Sequence, residues 1–176
     1  MGEDDEAVLL ALLNSTPIVD GVRLDPLGHD AAARTWLTEQ GLDVPVADRV
    51  MLRAGRDLLQ SVVRGERPPA ASASLLDGVV SRPGFTGDEL IWTLGVDGGG
   101  ELAGGRAVLA RAVLTFQELR ADRPGRLRPC ANDECTLFLL DRSKSNSARW
   151  CSMAVCGNRL KARRHHQRTR AGLDGV

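Results

Sequence analysis

Apolar positions along this chain recur at three- and four-residue steps in some stretches and alternate in others, and the switches between the two patterns mark out its elements. Val8-Leu9-Leu10-Ala11-Leu12-Leu13 is apolar without a clear period and fits either a helix or a buried strand; it ends at the turn signal Asn14-Ser15-Thr16-Pro17. Residues 18–24 read as a short strand and turn. Asp30 is placed as the N-cap of a helix through Ala31, Ala33, Trp36 and Leu37, with Gly41 as its C-cap. A second helix starts at Asp48, carries Val50, Met51, Ala54, Leu58, Leu59, Val62 and Val63 as its apolar set, and stops before Pro68-Pro69. Trp36 and Met51, at helical spacing, are assigned to the core.

A third, smaller helix is predicted over residues 70–80, closed by Arg82-Pro83-Gly84. Residues 89–96 are strand-like, with Asp97-Gly98-Gly99-Gly100 as a hairpin turn. A long amphipathic helix follows from about Arg106 to Arg120, with Ala107, Leu109, Ala110, Val113, Leu114, Phe116 and Leu119 as its apolar set. The stretch Arg120-Ala121-Asp122-Arg123-Pro124-Gly125 breaks it. Beyond lie a short strand at residues 136–140, a polar turn at 141–147, and a helix from Arg159 through about Thr169. The expected fold class is α+β: a mainly helical N-terminal domain with a short β-hairpin (1–122), a small cysteine module ending in a basic helix (123–170), and a tail (171–176).

Composition narrows the classes of function. No apolar run approaches the ~20 residues needed to span a bilayer, and the N-terminus opens with the acidic run Glu3-Asp4-Asp5-Glu6 where an export signal would be basic. A soluble, cytoplasmic protein is expected. The formal net charge is zero, but the signs are sorted: residues 1–119 carry 10 Arg or Lys against 18 Asp or Glu, whereas residues 120–170 carry 13 against 4. A basic module joined to an acidic one points to a local polyanion-binding surface that the whole-chain charge conceals.

The four cysteines all fall within 27 residues, as Cys130-x4-Cys135, a 15-residue gap and Cys151-x4-Cys156. Zinc takes four soft ligands at tetrahedral corners, and two short Cys-x(n)-Cys turns separated by a hairpin-sized spacer can deliver them. Two disulfides are the competing reading, and they suit a small secreted chain better than one without an export signal. Four thiolates leave the metal no open position for water or substrate. One structural Zn2+ is therefore expected, with a binding free energy of about 10 to 16 kcal/mol that folds the module.

The terminal helix carries Arg159, Lys161, Arg163, Arg164, Arg168 and Arg170, with hardly an apolar stripe beyond Leu160. A helix polar all round either has a partner or is a solvated tail; attachment to a rigid zinc site favours the partner. Arg142, Lys144, Arg149 and Trp150 form a second basic patch between the cysteine pairs. Trp150 either stacks on a nucleic-acid base or packs beside the metal in a small core. His165 and His166 are surplus to a saturated four-sulfur site. No catalytic set is recognisable: His29 has no partner placed by a motif, nor do Ser72 and Ser74, and the Gly98-Gly99-Gly100 run lacks the ending of a phosphate loop. The chain is not expected to be an enzyme.

At Pro129-Cys130-Ala131-Asn132-Asp133-Glu134-Cys135, Asp141-Arg142-Ser143-Lys144 and Arg149-Trp150-Cys151-Ser152-Met153-Ala154-Val155-Cys156-Gly157-Asn158-Arg159, the chain closely resembles the CGNR zinc finger, over roughly residues 125–168. Residues 8–120 more loosely resemble the ABATE domain that precedes this finger in bacterial proteins described as stress-induced transcription regulators. The plain Leu-Ala-Leu-Leu run of the first apolar segment departs from that domain's acidic or aromatic position. The resemblance implies zinc on Cys130, Cys135, Cys151 and Cys156, and nucleic-acid binding by the finger and its basic helix. Arg159 of the signature either contacts phosphate or clamps Asp141 or a backbone carbonyl.

The resulting expectation is a transcription regulator that binds duplex DNA through the zinc module, with an N-terminal domain that senses a small-molecule effector or mediates association into an oligomer. Three alternatives remain at this point. One is RNA binding with Trp150 or Phe138 stacking on unpaired bases; another is a protein-interaction module whose basic finger docks an acidic partner; the third is a thiol redox switch.

Overall fold

The structure, a computed structural model, describes residues 3–158. The predicted basic helix, with Arg159, Lys161, Arg163, Arg164, Arg168 and Arg170, lies outside the described residues. Four helices, α1 (Glu3–Leu13), α2 (Asp30–Glu39), α3 (Arg49–Val63) and α4 (Gly104–Asp122), pack around one core, and three separate antiparallel strand pairs decorate them. The architecture is mixed α+β and mainly helical in its N-terminal region, as the pattern predicts.

The first apolar run resolves as a helix. Its acidic opening places negative charge at the helix N-terminus, where the backbone dipole favours it, and Leu9, Leu12 and Leu13 are buried at three- and four-residue spacing. The short pair β1 (Ile18–Val19) and β2 (Val22–Arg23) is joined by Asp20 and Gly21, both at positive φ (50° and 78°). Such a turn suits hairpins because its twist matches that of the flanking strands.

On α2 the N-cap is His29, with Asp30 one position inside, where it forms an ion pair with Arg49; Gly41, at φ 64°, follows the C-terminal cap Gln40. Asp48 does not cap its own helix. Its carboxylate accepts a 2.8 Å hydrogen bond from the Gly105 amide and so caps α4, while α3 starts from a turn of 3-10 helix at Val46–Asp48.

Helix α3 buries Leu59 and Val62 of its apolar set, as the spacing predicts, but its inward face also takes in residues outside that set. Val50 and Met51 are exposed, and Leu52, Gly55, Arg56, Leu59, Gln60 and Val62 turn inward. The inward polar groups are fully engaged. Arg56 holds Asp25 through two bonds (2.6 and 2.9 Å), Asp57 (2.9 Å) and the Ser15 hydroxyl (3.2 Å), and Gln60 donates to the Leu13 carbonyl and the Thr16 hydroxyl. Burial opposes ionisation of Asp25, but the Arg56 guanidinium, aided by Arg53, holds its carboxyl below the usual carboxylate range. At Gly55 any Cβ would lie 2.4 Å from a Leu109 methyl, so the glycine is what lets α3 and α4 approach. Trp36 is buried as expected.

The predicted helix over residues 70–80 is a run of 3-10 helix, Pro69–Leu76, and Val79 already belongs to a strand. Arg82-Pro83-Gly84 closes nothing. It lies mid-strand in β3 (Val79–Thr86), which pairs along its whole length with β4 (Glu89–Val96), and the hairpin turn is Gly87-Asp88, ahead of the strand instead of after it. Pro83 is tolerated because each strand of a two-stranded sheet has a free edge. The Asp97–Gly100 turn serves a smaller return, pairing Gly95 with Glu101.

Strands β5 (Leu127–Pro129) and β6 (Phe138–Leu140) open the cysteine module and dock it onto the helices. Phe138 is fully buried in the same apolar cluster as Leu12, Leu13 and Leu59. Asn14 accepts from the Phe138 amide (2.7 Å) and donates to its carbonyl (3.2 Å), the Thr136 hydroxyl donates to the Thr16 carbonyl (2.6 Å), and Arg64 donates to the Thr136 carbonyl (2.9 Å) while its guanidinium lies 4.7 Å from the Phe138 ring centre.

Candidate metal centre and basic surface

Cys130 leaves β5 and Cys135 ends the turn that follows, whose geometry is set by a 2.8 Å bond from the Cys135 amide to the Asn132 carbonyl. The second pair is set by Ser152, whose side chain accepts from the Val155 amide and caps a single wide π-helical turn, Met153–Gly157, that carries Cys156 inward. The two halves are tied by the backbone: Cys130 N–H to the Leu137 carbonyl and Ala131 N–H to the Arg149 carbonyl, each 2.8 Å.

The result is a four-sulfur cluster. All four Sγ atoms lie within 4.8 Å of one another, with Cys135–Cys151 and Cys151–Cys156 separations of 3.7 Å. A tetrahedron with metal–sulfur bonds of about 2.3 Å has an edge of about 3.8 Å, whereas a disulfide requires about 2.05 Å. The spacing fits one zinc ion and rejects the disulfide pairings.

Three N–H groups face the sulfurs. Leu137 N–H and Cys151 N–H point at Cys135 Sγ (3.5 Å) and Cys130 Sγ (3.4 Å), and the Asn132 amide donates to Cys156 Sγ (3.6 Å). Such outer bonds orient metal ligands. Burial pushes the Cys135 thiol up to about 11 and that of Cys151 further, whereas Cys156, despite its own desolvation, is lowered by the Asn132 amide. Two thiols held that high keep their protons at neutral pH unless a cation displaces them. Asn132 sits inside the first cysteine pair, and sequence reasoning passed over it.

Residues 126–169 match the CGNR zinc finger. No curated protein matches the chain. The CGNR finger thus provides a zinc-binding module with one four-cysteine site. The glycine at position 157 has a local reason: a Cβ there would meet the Met153 thioether at 2.9 Å and the Trp150 ring at 3.3 Å. Trp150 lies beside the second cysteine turn, half-buried, with the Arg149 guanidinium 5.3 Å from its ring centre. Phe138, the other aromatic considered for base stacking, is excluded from that role by its burial in the core.

The module's arginines divide into two groups. Arg128 reaches inward to Asp141 (2.6 Å) and the Ala148 carbonyl, and Arg126 donates to the Asp141 and Ser143 carbonyls, fixing the 141–148 loop. Asp141 is buried yet strongly acidic; bonds from the Ser143 hydroxyl, the Ser143 and Ala148 amides and Arg128 hold its carboxyl at about 2. Arg128 thus clamps Asp141, while Arg159, also considered for that contact, lies outside the described residues. Arg142 bonds Glu6 of α1 at 2.9 Å, beside the Arg123–Glu6 pair. Lys144 and Arg149 remain on the outer surface. Among the described residues no helix is long and apolar enough to cross a membrane.

Proposed function

We propose that this chain is a non-catalytic, cytoplasmic transcription regulator that binds duplex DNA through its CGNR zinc finger, with residues 1–122 forming an ABATE-type sensing or association domain. The observation that carries the reading is the division of arginines. Arg126 and Arg128 brace the loop from within, which leaves Lys144 and Arg149 outward on a metal-stiffened platform that runs directly into the arginine-rich segment 159–170. Rigid presentation of cations fits a fixed ladder of phosphates. Duplex is favoured over unpaired RNA because Phe138 is buried and the half-buried Trp150 already has Arg149 at its ring, which leaves little aromatic surface for splayed bases.

The test is competition. Zinc-loaded full-length protein on a labelled duplex should resist displacement by single-stranded RNA of equal length, and chelation should abolish binding. Ready displacement by RNA would transfer the reading to RNA; binding that survives zinc removal would detach it from the finger.

A further inference from the structure

The hairpin β3–β4 is amphipathic in a way the core does not use. Its register pairs Phe85 with Leu90, Pro83 with Trp92, Ser81 with Leu94 and Val79 with Val96, so these eight side chains share one face of the sheet. The opposite face carries Arg82, Thr86, Glu89 and Thr93, with Val80, Gly84, Ile91 and Gly95 among them. On the apolar face Phe85, Leu90 and Trp92 are 73%, 52% and 65% exposed. Neither strand packs extensively on any other element. A lone two-stranded hairpin is marginal in water, and three large apolar groups exposed together on one face mark an interaction site.

Between this hairpin and the outer side of α4 lies an open cleft of about 1270 Å³, to which Trp92 and Leu94 contribute from the sheet and Ala107, Arg111, Leu114 and Glu118 from the helix. Pockets that bury a small ligand run to about 300–1,000 Å³ and enclose it; this space is larger and open.

We propose that the cleft is filled by the β3–β4 hairpin of a second copy of this chain, each copy lending its hairpin to the other. Two observations select a second copy. The first is area. Eight residues at about 3.4 Å each and two strands about 4.8 Å apart give a face of roughly 260 Å². Reciprocal exchange buries two such faces and the two surfaces they cover, about 1,040 Å² in all, which clears the roughly 1,000 Å² that a biological interface needs and sets a weak, concentration-dependent dimer. The second is charge: Arg82 and Arg111 stand beside Asp5, Glu101 and Glu118 around the cleft. A two-fold axis pairs one residue with a different residue of the partner, twice over, so a rim carrying both signs lets the arginines of each copy meet the carboxylates of the other.

The interface is independent of whether the finger binds nucleic acid, and its test omits nucleic acid. Sedimentation velocity of the zinc-loaded full chain across the micromolar range should show a shift to twice the chain mass as concentration rises. The paired variant Phe85→Glu/Trp92→Glu should remain at chain mass throughout, with zinc content and helical signal unchanged, since both residues lie on the exposed face. Wild-type protein that stays at chain mass throughout, or a paired variant that doubles at the same concentration, would overturn the proposal. Should the paired variant lose its helical signal, Leu90→Lys alone supplies the same comparison.

Discussion

Replacing Phe138 with alanine tests how the zinc module is joined to the helices. The ring belongs to the cysteine module by sequence but is buried among Leu12, Leu13 and Leu59 of the helical core and lies beneath Arg64. Truncating a fully buried phenylalanine costs about 3–5 kcal/mol, and loss of the Arg64 contact adds about 0.5–1 kcal/mol. In a chain of this length each kcal/mol lowers the melting midpoint by about 2–4 °C. Phe138→Ala should therefore lower the midpoint of the helical circular-dichroism signal by about 10 °C or more. Because Asn14 also holds the Phe138 backbone from both sides, zinc release, followed with a chromogenic chelator, should occur in the same transition. If helical unfolding were unmoved while zinc left at lower temperature, the module would be a separate bead on the chain and the shared-core argument would fail.

Four further outcomes follow from the contacts described. Cobalt titration should saturate at one ion per chain with the charge-transfer absorption of a four-thiolate site, and Cys151→Ser should weaken uptake severely; two-ion stoichiometry would contradict the geometry. Arg56→Met leaves the half-buried Asp25 with Arg53 alone and should destabilise the chain by about 1–3 kcal/mol in urea unfolding, whereas a loss below about 0.5 kcal/mol would show that the pair matters little. The Asp25 carboxyl is depressed in the fold, so its contribution is complete above about pH 4 and falls away as pH drops below its unfolded value of about 3.9; Asp25→Asn should flatten that acid limb of the stability profile. Asp48→Ala removes the carboxylate that caps α4 at Gly105 and should cost about 0.5–2 kcal/mol, with a neutral result pointing to capping by water.

The zinc site was legible because metal chemistry is local: four cysteines at short spacing determine the ligand set wherever the chain goes. Helices α2 and α4 were legible from three- and four-residue periodicity, to within two or three residues at their ends. The failures share a different origin. Arg56 and Gln60 face inward because Asp25, Ser15, Leu13 and Thr16, more than 30 residues away in sequence, receive their hydrogen bonds, and no local pattern announces that. The 70–80 segment is predicted as a helix, yet the eight-residue pairing of β3 with β4 claims its end. Asp48 looked like the cap of α3 and caps α4, a partner supplied by tertiary packing. Arg128 was overlooked for a related reason: in a stretch rich in arginine, composition cannot say which one is turned inward.

The central claim is that a zinc-ordered basic surface holds duplex DNA through its phosphates. The most direct measurement is fluorescence anisotropy of the zinc-loaded chain on a labelled duplex over a range of salt concentrations. With about 4 to 6 phosphate contacts, log affinity should fall against log salt with a slope of about −4 to −5, and Lys144→Gln/Arg149→Gln should make that slope shallower by about 2. A slope near zero, or one indifferent to that pair of substitutions and to zinc removal, would contradict it.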